Sequence, residues 1–463
     1  MALIKSISGI RGEIGGQVGS SLTPVDIVKF TSAYAQWLLT RHPEQKTKVI
    51  IGRDARMSGA VVSQMVSSTL QMMGIDVVDL GLSTTPTVEM AVVWNQAQGG
   101  IILTASHNPK QWNALKLLNQ KGEFISGADG EKLLQLAENE AFDFALVDDL
   151  GNYSTENSAI DRHVNLILDL PLVKANLDKK RSLKFVVDAI NSTGATAVPA
   201  MLKALGYHDV VVLHGAMHGD FEHNPEPLKA HLKAISEAMI SEKADIGIVV
   251  DPDVDRLAFV CEDGTMFGEE YTLVAVADYV LRHQAGTTVS NMSSTKALRD
   301  VTEKLTDFQS FSSAVGEVNV VEMMKEKQAT IGGEGNGGII YPELHYGRDA
   351  LVGIALFLNH FVDFEGSLSQ FRDQYPYYFI AKKKIELSAD FDVDAALAQL
   401  KAQYETTQEI NTIDGLKLYF EDSWVHIRKS NTEPIVRIYA EATSEDLANQ
   451  LADRFIAELQ KLN

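Results

Sequence analysis

At 463 residues the chain exceeds what one hydrophobic core can organise, and its length predicts about three or four domains. A net charge of −21 argues against a general nucleic-acid binder, which needs a basic face, so any phosphate site must be a local concentration of Arg and Lys. No stretch approaches the roughly 20 apolar residues of a membrane span, no signal-peptide-like run opens the chain at Met1–Gly9, and Cys261 is the only cysteine. A soluble, cytoplasmic protein without an intrachain disulfide is the expectation, with a homodimer left open.

Short apolar runs that end in polar or small residues recur along the chain. Val49-Ile50-Ile51 leads into Gly52-Arg53-Asp54, and Gly100-Ile101-Ile102-Leu103 leads into Thr104-Ala105-Ser106-His107-Asn108-Pro109. Phe185-Val186-Val187 ends at Asp188, and Ile246-Gly247-Ile248-Val249-Val250 ends at Asp251. Continuous apolar strands between helical patterns predict buried parallel sheet and an α/β architecture, with ligands beyond the carboxyl ends of the strands. After a linker near Tyr375-Pro376-Tyr377 the pattern changes. Leu416–Phe420, Trp424–Arg428 and Ile435–Tyr439 alternate as a half-exposed antiparallel sheet does. A closing helix is expected from Thr443, with Asp446 completing a capping box and Leu447, Leu451, Phe455 and Leu459 as its apolar stripe.

Four loops carry the candidate chemistry. Ser106 offers a hydroxyl at a strand end; His107 could polarise it or contact a phosphate, and Lys116 offers a compact charge or, with a lowered pKa, a proton-transfer group. The plainer alternative is a simple Ser-Asn-Pro turn. Asp251, Asp253 and Asp255 alternate in Asp-Pro-Asp-Val-Asp-Arg and repel one another unless a cation neutralises them, so they are expected to ligate Mg2+ with a phosphoserine oxygen, while Arg256 holds phosphoryl oxygens from the side. A solvated acidic loop is the competing account. Glu334 and Asn336, among the glycines at 332–338, suit sugar hydroxyls, unless the stretch is only a flexible surface loop. Arg428, Ser430, Asn431, Thr432 and Arg437 suit a phosphate dianion, against a hairpin turn with surface arginines. Arg11 is a weaker candidate.

These loops, in this order, resemble the α-D-phosphohexomutase family, which includes phosphoglucomutase, phosphomannomutase and phosphoglucosamine mutase. The resemblance runs the length of the chain. It rests on residues 104–109, 251–256 and 428–437, with Ile10-Arg11-Gly12, Gly52-Arg53-Asp54, Thr85-Pro86 and Asn113-Ala114-Leu115-Lys116 in support. It implies four domains around a central cleft: α/β units at 1–153, 154–257 and 258–374, and an α+β domain at 375–463 that acts as a lid. It further implies one Mg2+ per chain between phosphorylated Ser106 and the three aspartates. Glu334 would bind sugar hydroxyls, and residues 428–437 the non-reacting phosphate.

The implied reaction is a double phosphoryl transfer through a hexose 1,6-bisphosphate that turns over in the site. Many members carry Gly-Glu-x-Ser-Gly-His in the sugar loop, where this chain has Asn336 and Gly338, which leaves Lys116, His107 and Arg11 as candidates for the role of the missing imidazole. Ala114 also stands in place of a usual glycine. The loop form resembles the subgroup assigned as phosphoglucosamine mutases, which points to interconversion of glucosamine 6-phosphate and glucosamine 1-phosphate. Mannose or glucose phosphates are the alternative substrates. An aspartyl phosphatase using Asp251 and a non-catalytic phosphosugar sensor are the more distant readings.

Overall fold

The computed structural model describes residues 3–6, 9–386, 391–429 and 435–462. They divide into two compact units. One comprises the chain up to Thr272 together with Asn336–Ser369, the other Leu273–Gly335 and the chain from Gln370 onward.

The first unit is built on two mixed sheets. The larger has seven strands in the order Ile4–Ser6, Gly9–Glu13, Trp112–Leu118, Gly99–Leu103, Lys48–Arg53, Asp76–Leu82, Tyr153–Thr155. Its central strands Lys48–Arg53 and Gly99–Leu103 run parallel, whereas Trp112–Leu118 returns antiparallel beside them. Ile50 and Ile102 face one core and Val49, Ile51, Ile101 and Leu103 the other, which is why these runs are apolar throughout. The helix Pro24–Arg41 covers one face, opened by a capping box between Thr23 and Asp26. The second sheet orders Leu257–Cys261, Ile246–Val250, Phe185–Asp188 and Val210–Leu213, with only the first pair antiparallel. The helix Ala350–Phe361 is buried along nearly all its length, and its Phe357 stacks on Phe259 at 3.8 Å between ring centroids. A helix that is apolar on every side has no solvent face to lose.

In the second unit Thr288–Asn291 lies parallel to both Ser310–Ser313 and Ile331–Glu334. The C-terminal sheet is antiparallel, in the order Phe379–Glu386, Ile435–Ala442, Trp424–Lys429, Leu416–Tyr419, Glu409–Asn411. Three α/β folds and an antiparallel C-terminal domain are therefore present, as expected.

Two details of the C-terminal reading change. The last helix is Glu445–Lys461, capped by Ser444 rather than Thr443, and its buried residues are Ala448, Ala452, Phe455 and Leu459. Leu447 is 51% exposed. Steps of four overrun the 3.6-residue turn, so a stripe extrapolated back from Leu459 drifts off the buried face by Leu447. The three inner strands are also not half-exposed. Val425 and Ile427 enter the core beneath the helices, but Trp424, His426, Lys417 and Glu441 on the other face are buried as well. His426 Nδ1 lies 3.0 Å from Ser293 Oγ, Lys417 Nζ donates to Met292 O at 2.6 Å, and Lys296 N donates to Glu441 Oε1 at 2.9 Å. Their polar atoms are spent on the segment Met292–Lys296 and, from Trp424 Nε1 to Glu441 Oε1, on one another, not on water.

Candidate active site

Ser106 follows the strand Gly99–Leu103, and Asp251 follows the strand Ile246–Val250, so both sit at the carboxyl ends of central strands. Ser106 Oγ donates to Asp251 Oδ2 at 2.7 Å although 145 residues separate them. Ser106 is only 6% exposed. Its backbone is left-handed, with φ of 48°, and Val254 in the acidic loop has φ of 60°. Such conformations cost non-glycine residues about 1–3 kcal/mol each and survive where the surroundings impose them.

Those surroundings can be named. Arg56, whose side chain is fully buried, donates from Nε to Asp54 Oδ2 at 2.9 Å. The same guanidinium donates to the carbonyls of Asn108 and Pro109 at 2.7 Å, of Trp112 at 2.9 Å, and of Ser106 itself. Asp54 also accepts from Thr104 Oγ1 at 2.7 Å, and that oxygen accepts from Ser106 N at 2.9 Å. Burial raises the Asp54 carboxyl above its ordinary pKa, and Arg56 opposes the shift. The serine loop is thus wound around one buried guanidinium. Asn108 in addition accepts from Arg11 Nη1 at 2.9 Å.

All three aspartates have no exposed surface, and one oxygen from each lies within 4.8 Å of the others. Asp251 Oδ1 accepts from the backbone of Asp255 and Arg256, both at 3.1 Å. Asp253 Oδ2 accepts from Thr85 Oγ1 at 2.6 Å and Lys116 Nζ at 2.8 Å. Asp255 Oδ2 accepts from Arg348 Nη2 at 2.7 Å and lies 3.4 Å from Lys116 Nζ. The other oxygens, Asp253 Oδ1 and Asp255 Oδ1, are buried without a hydrogen-bond partner. Two orphaned carboxylate oxygens beside a third carboxylate and a hydroxyl fit a hard divalent cation. A solvated acidic loop is excluded by the burial. The loop itself is pinned by Ser192 and Thr193, whose hydroxyls donate to Pro252 O at 2.6 and 2.8 Å.

Electrostatics follow from this packing. Burial, then Asp255 and Asp253, push the Asp251 carboxyl well above its ordinary pKa, whereas for Asp253 burial is outweighed by Lys116 and the carboxyl is held low. For Lys116 burial is likewise outweighed by Asp253 and Asp255, and its pKa is raised. The lysine is therefore an anchored cation here, not an amine of lowered pKa. Burial and the nearby Arg256 and Arg11 depress the His107 imidazole, which lies 3.4 Å from Ser106 Oγ through Nδ1. Arg256 pairs with Glu226 at 3.3 Å. Arg11, Arg56, Lys116, Arg256 and Arg348 thus gather cationic charge around the serine and acidic loops.

The glycine stretch is buried strand and turn, not a flexible surface loop. In the second unit Glu334 is 4% exposed, and its Oε1 accepts from Asn291 Nδ2 at 2.8 Å and Gly316 N at 3.2 Å. In the first unit Asn336 Oδ1 accepts from Gly338 N at 3.2 Å. Gly337 has φ of 88°, and a Cβ there would stand 2.2 Å from Leu257 O, so the chain packing itself requires a glycine. Ligand access is not needed to explain it.

Arg428 and Arg437 are direct cross-strand partners, and Lys384 pairs with Arg437 on its other side. Like charges opposite one another are destabilising, which an anion over the row would relieve. Burial depresses the Arg428 guanidinium, with Arg437 contributing. Ser430, Asn431 and Thr432 lie outside the described residues. Sequence reasoning passed over Arg56, Thr85, Lys384 and Arg348. Thr85 and the segment before Arg56 stood in motifs already noted, but nothing local marks Arg348.

Models of the phosphoglucomutase/phosphomannomutase family match the chain domain by domain: alpha/beta/alpha domain I at residues 3–144, domain II at 161–264, domain III at 268–378, and the C-terminal domain at 383–458. A relative from Thermococcus kodakarensis, named phosphoglucomutase/phosphomannomutase, is 33% identical over 450 residues, 97% of each chain. One from Methanopyrus kandleri, named probable phosphoglucosamine mutase, is 29% identical over 451 residues, 97% of this chain and 96% of its own. Among solved structures, a phosphoglucomutase/phosphomannomutase family protein from Burkholderia thailandensis superposes with a TM-score of 0.84 at 25% identity, covering 100% of this chain and 98% of that one.

Proposed function

The chain belongs to the phosphoglucomutase/phosphomannomutase family and is a phosphohexomutase, an intramolecular phosphotransferase; from that premise we propose that it interconverts glucosamine 6-phosphate and glucosamine 1-phosphate through phosphorylated Ser106 and a hexose 1,6-bisphosphate. The observation that carries the route is the 2.7 Å contact between Ser106 Oγ and Asp251 Oδ2 beside two orphaned carboxylate oxygens.

In the forward half-reaction the free sugar hydroxyl attacks the phosphorus on Ser106 Oγ. The new P–O bond to the sugar forms as the P–Oγ bond breaks, and the proton lost by the sugar hydroxyl is returned to Oγ. His107, 3.4 Å from that oxygen, is placed to carry the proton in place of the imidazole absent at Gly338. Arg256 and Lys116 offset negative charge on the moving group. Asp251, Asp253 and Asp255 would hold one Mg2+, which when bound neutralises phosphoryl oxygens and leaves the phosphorus open to attack. Glu334 and Asn336 would take sugar hydroxyls. Arg428 and Arg437, with Ser430, Asn431 and Thr432, would grip the phosphate that does not react. The bisphosphate then presents its other phosphoryl group, and the same steps in reverse restore phosphoserine.

The glucosamine assignment rests on the loop Gly-Glu-Gly-Asn-Gly-Gly and on relatives named phosphoglucosamine mutase. The name of the Thermococcus relative favours glucose and mannose phosphates as a second reading. Turnover of glucosamine, mannose and glucose 1-phosphates with a bisphosphate activator ranks the three, and failure of all three rejects the proposal. Intact-mass and peptide mapping should locate phosphate on Ser106. Phosphate on Asp251 would instead favour an aspartyl phosphatase, and turnover surviving in Ser106→Ala would remove the carrier role.

A further inference from the structure

The acidic cluster divides its oxygens in a regular way. Asp253 and Asp255 each spend Oδ2 on fixed donors and leave Oδ1 orphaned. A carboxylate held by one oxygen presents the other in a set direction, the arrangement by which groups behind a metal ligand tune its affinity. For Asp253 the holders are Thr85 and Lys116. For Asp255 the short contact is Arg348 Nη2 at 2.7 Å, against 3.4 Å for Lys116, and the arginine comes from 93 residues further along the chain.

Arg348 reaches Asp255 across Gly338. A Cβ built on Gly338 would stand 2.4 Å from Arg348 Cδ and 3.0 Å from Cγ. The arginine stem therefore occupies the volume that any side chain at 338 would enter. Gly338 has no left-handed φ, so conformation does not demand a glycine there. The space does. The arginine is also fixed at its base, because its neighbour Asp349 caps the helix Ala350–Phe361 through Leu351 N at 2.8 Å, and Ala350 N donates to Val254 O at 3.2 Å inside the acidic loop.

We propose that Arg348 is a positioning residue for the cation site, that it fills the place left by the absent side chain at Gly338, and that the two residues together set the affinity for Mg2+. This rests on the reading of Asp251, Asp253 and Asp255 as the cation ligands. The arginine holds Asp255 by Oδ2 so that Oδ1 faces the cation, and it balances part of the charge of three buried carboxylates. Any substitution at 338 that adds a side chain displaces it.

The test is Mn2+ binding followed by electron paramagnetic resonance, with Mg2+ as competitor, on the full chain without sugar phosphate. Arg348→Met keeps the stem and removes the fork; its expected loss of affinity is about 10–100-fold. Gly338→Ala leaves the guanidinium intact but takes its space, and should lose affinity to a similar degree. The double variant should be no weaker than the worse single one, because both remove the same contact. Arg348→Lys should fall between wild type and Arg348→Met, which a role in filling volume alone does not predict. Unchanged or tighter binding in Arg348→Met would overturn the proposal, tighter binding meaning that the guanidinium competes with the cation. Fully additive losses would also overturn it. If Arg348→Met does not fold, Gly338→Ala decides: wild-type affinity there refutes the proposal. Absence of Mn2+ binding in the wild type would reject the cation site itself, a result distinct from normal wild-type binding with indifferent variants.

Discussion

Replacing Arg56 by methionine should damage stability and turnover together, and by amounts the structure allows to be separated. The guanidinium donates to one carboxylate oxygen and to four carbonyls, and none of its side chain is exposed. Counting five charge-assisted bonds at about 1.5 kcal/mol or more each would suggest a loss above about 7 kcal/mol. That overstates the cost, because Asp54, already raised in pKa by burial, can take up a proton once Arg56 is gone, and the loop can relax toward water. The loss from breaking a buried pair, about 3–5 kcal/mol, is the better figure. At about 2–4 °C per kcal/mol this lowers the unfolding temperature by about 6–20 °C. Turnover should fall about 100-fold even well below that temperature, since the left-handed turn at Ser106 loses its support and displacement of a reacting atom by about 1 Å costs that much. Arg56→Lys separates the effects. An ammonium can restore the pair with Asp54 but has three donors for five acceptors, so stability should return further than rate. Thermal unfolding and steady-state kinetics on both variants provide the test. A stable Arg56→Met protein with unchanged kcat would refute the argument that this guanidinium shapes the serine loop.

Other consequences follow from the same geometry. The Asp251 carboxyl, raised well above 3.8 by burial and by Asp255 and Asp253, must lose its proton to ligate a cation. Mg2+ affinity should therefore rise with pH and binding should release protons, seen as calorimetric enthalpies that differ between Tris and PIPES; buffer-independent heats below neutral pH would refute this. His214 and His223 both bond Asp188, which burial would raise but the two imidazoles bring down to about 2. The Asp188 bond raises His214, and for His223 it outweighs burial. Their contribution to stability is thus full below the ordinary pKa of 6.5 and lost as the pH rises through the raised folded values. The stability gap between wild type and His223→Asn should shrink toward alkaline pH, and a gap that widens would be the wrong sign. Arg437→Met should slightly stabilise the ligand-free C-terminal sheet, by about 0.2–1 kcal/mol, while raising KM. A loss of stability with unchanged KM would show that the cation row serves the fold and not an anion.

The sequence by itself determined what is local. The apolar runs Ile246–Val250 and Gly99–Leu103 are strands because they are buried on both faces, and alternate spacing brings Asp251, Asp253 and Asp255 together as soon as the chain turns after such a strand. The hydroxyl and the arginine pair at 428 and 437 were legible for the same reason. Tertiary structure decided which oxygen of each carboxylate is held and which is left over, because the holders lie 168, 137 and 93 residues away at Thr85, Lys116 and Arg348. It also decided that Lys417, Trp424, His426 and Glu441 on the polar face of the last sheet are buried, and that Leu447 is not part of the final helix's core stripe. Spacing along a chain encodes which side chains neighbour one another within an element. Partners brought in by other elements depend on how strands and helices pack, and no short window of residues contains that information.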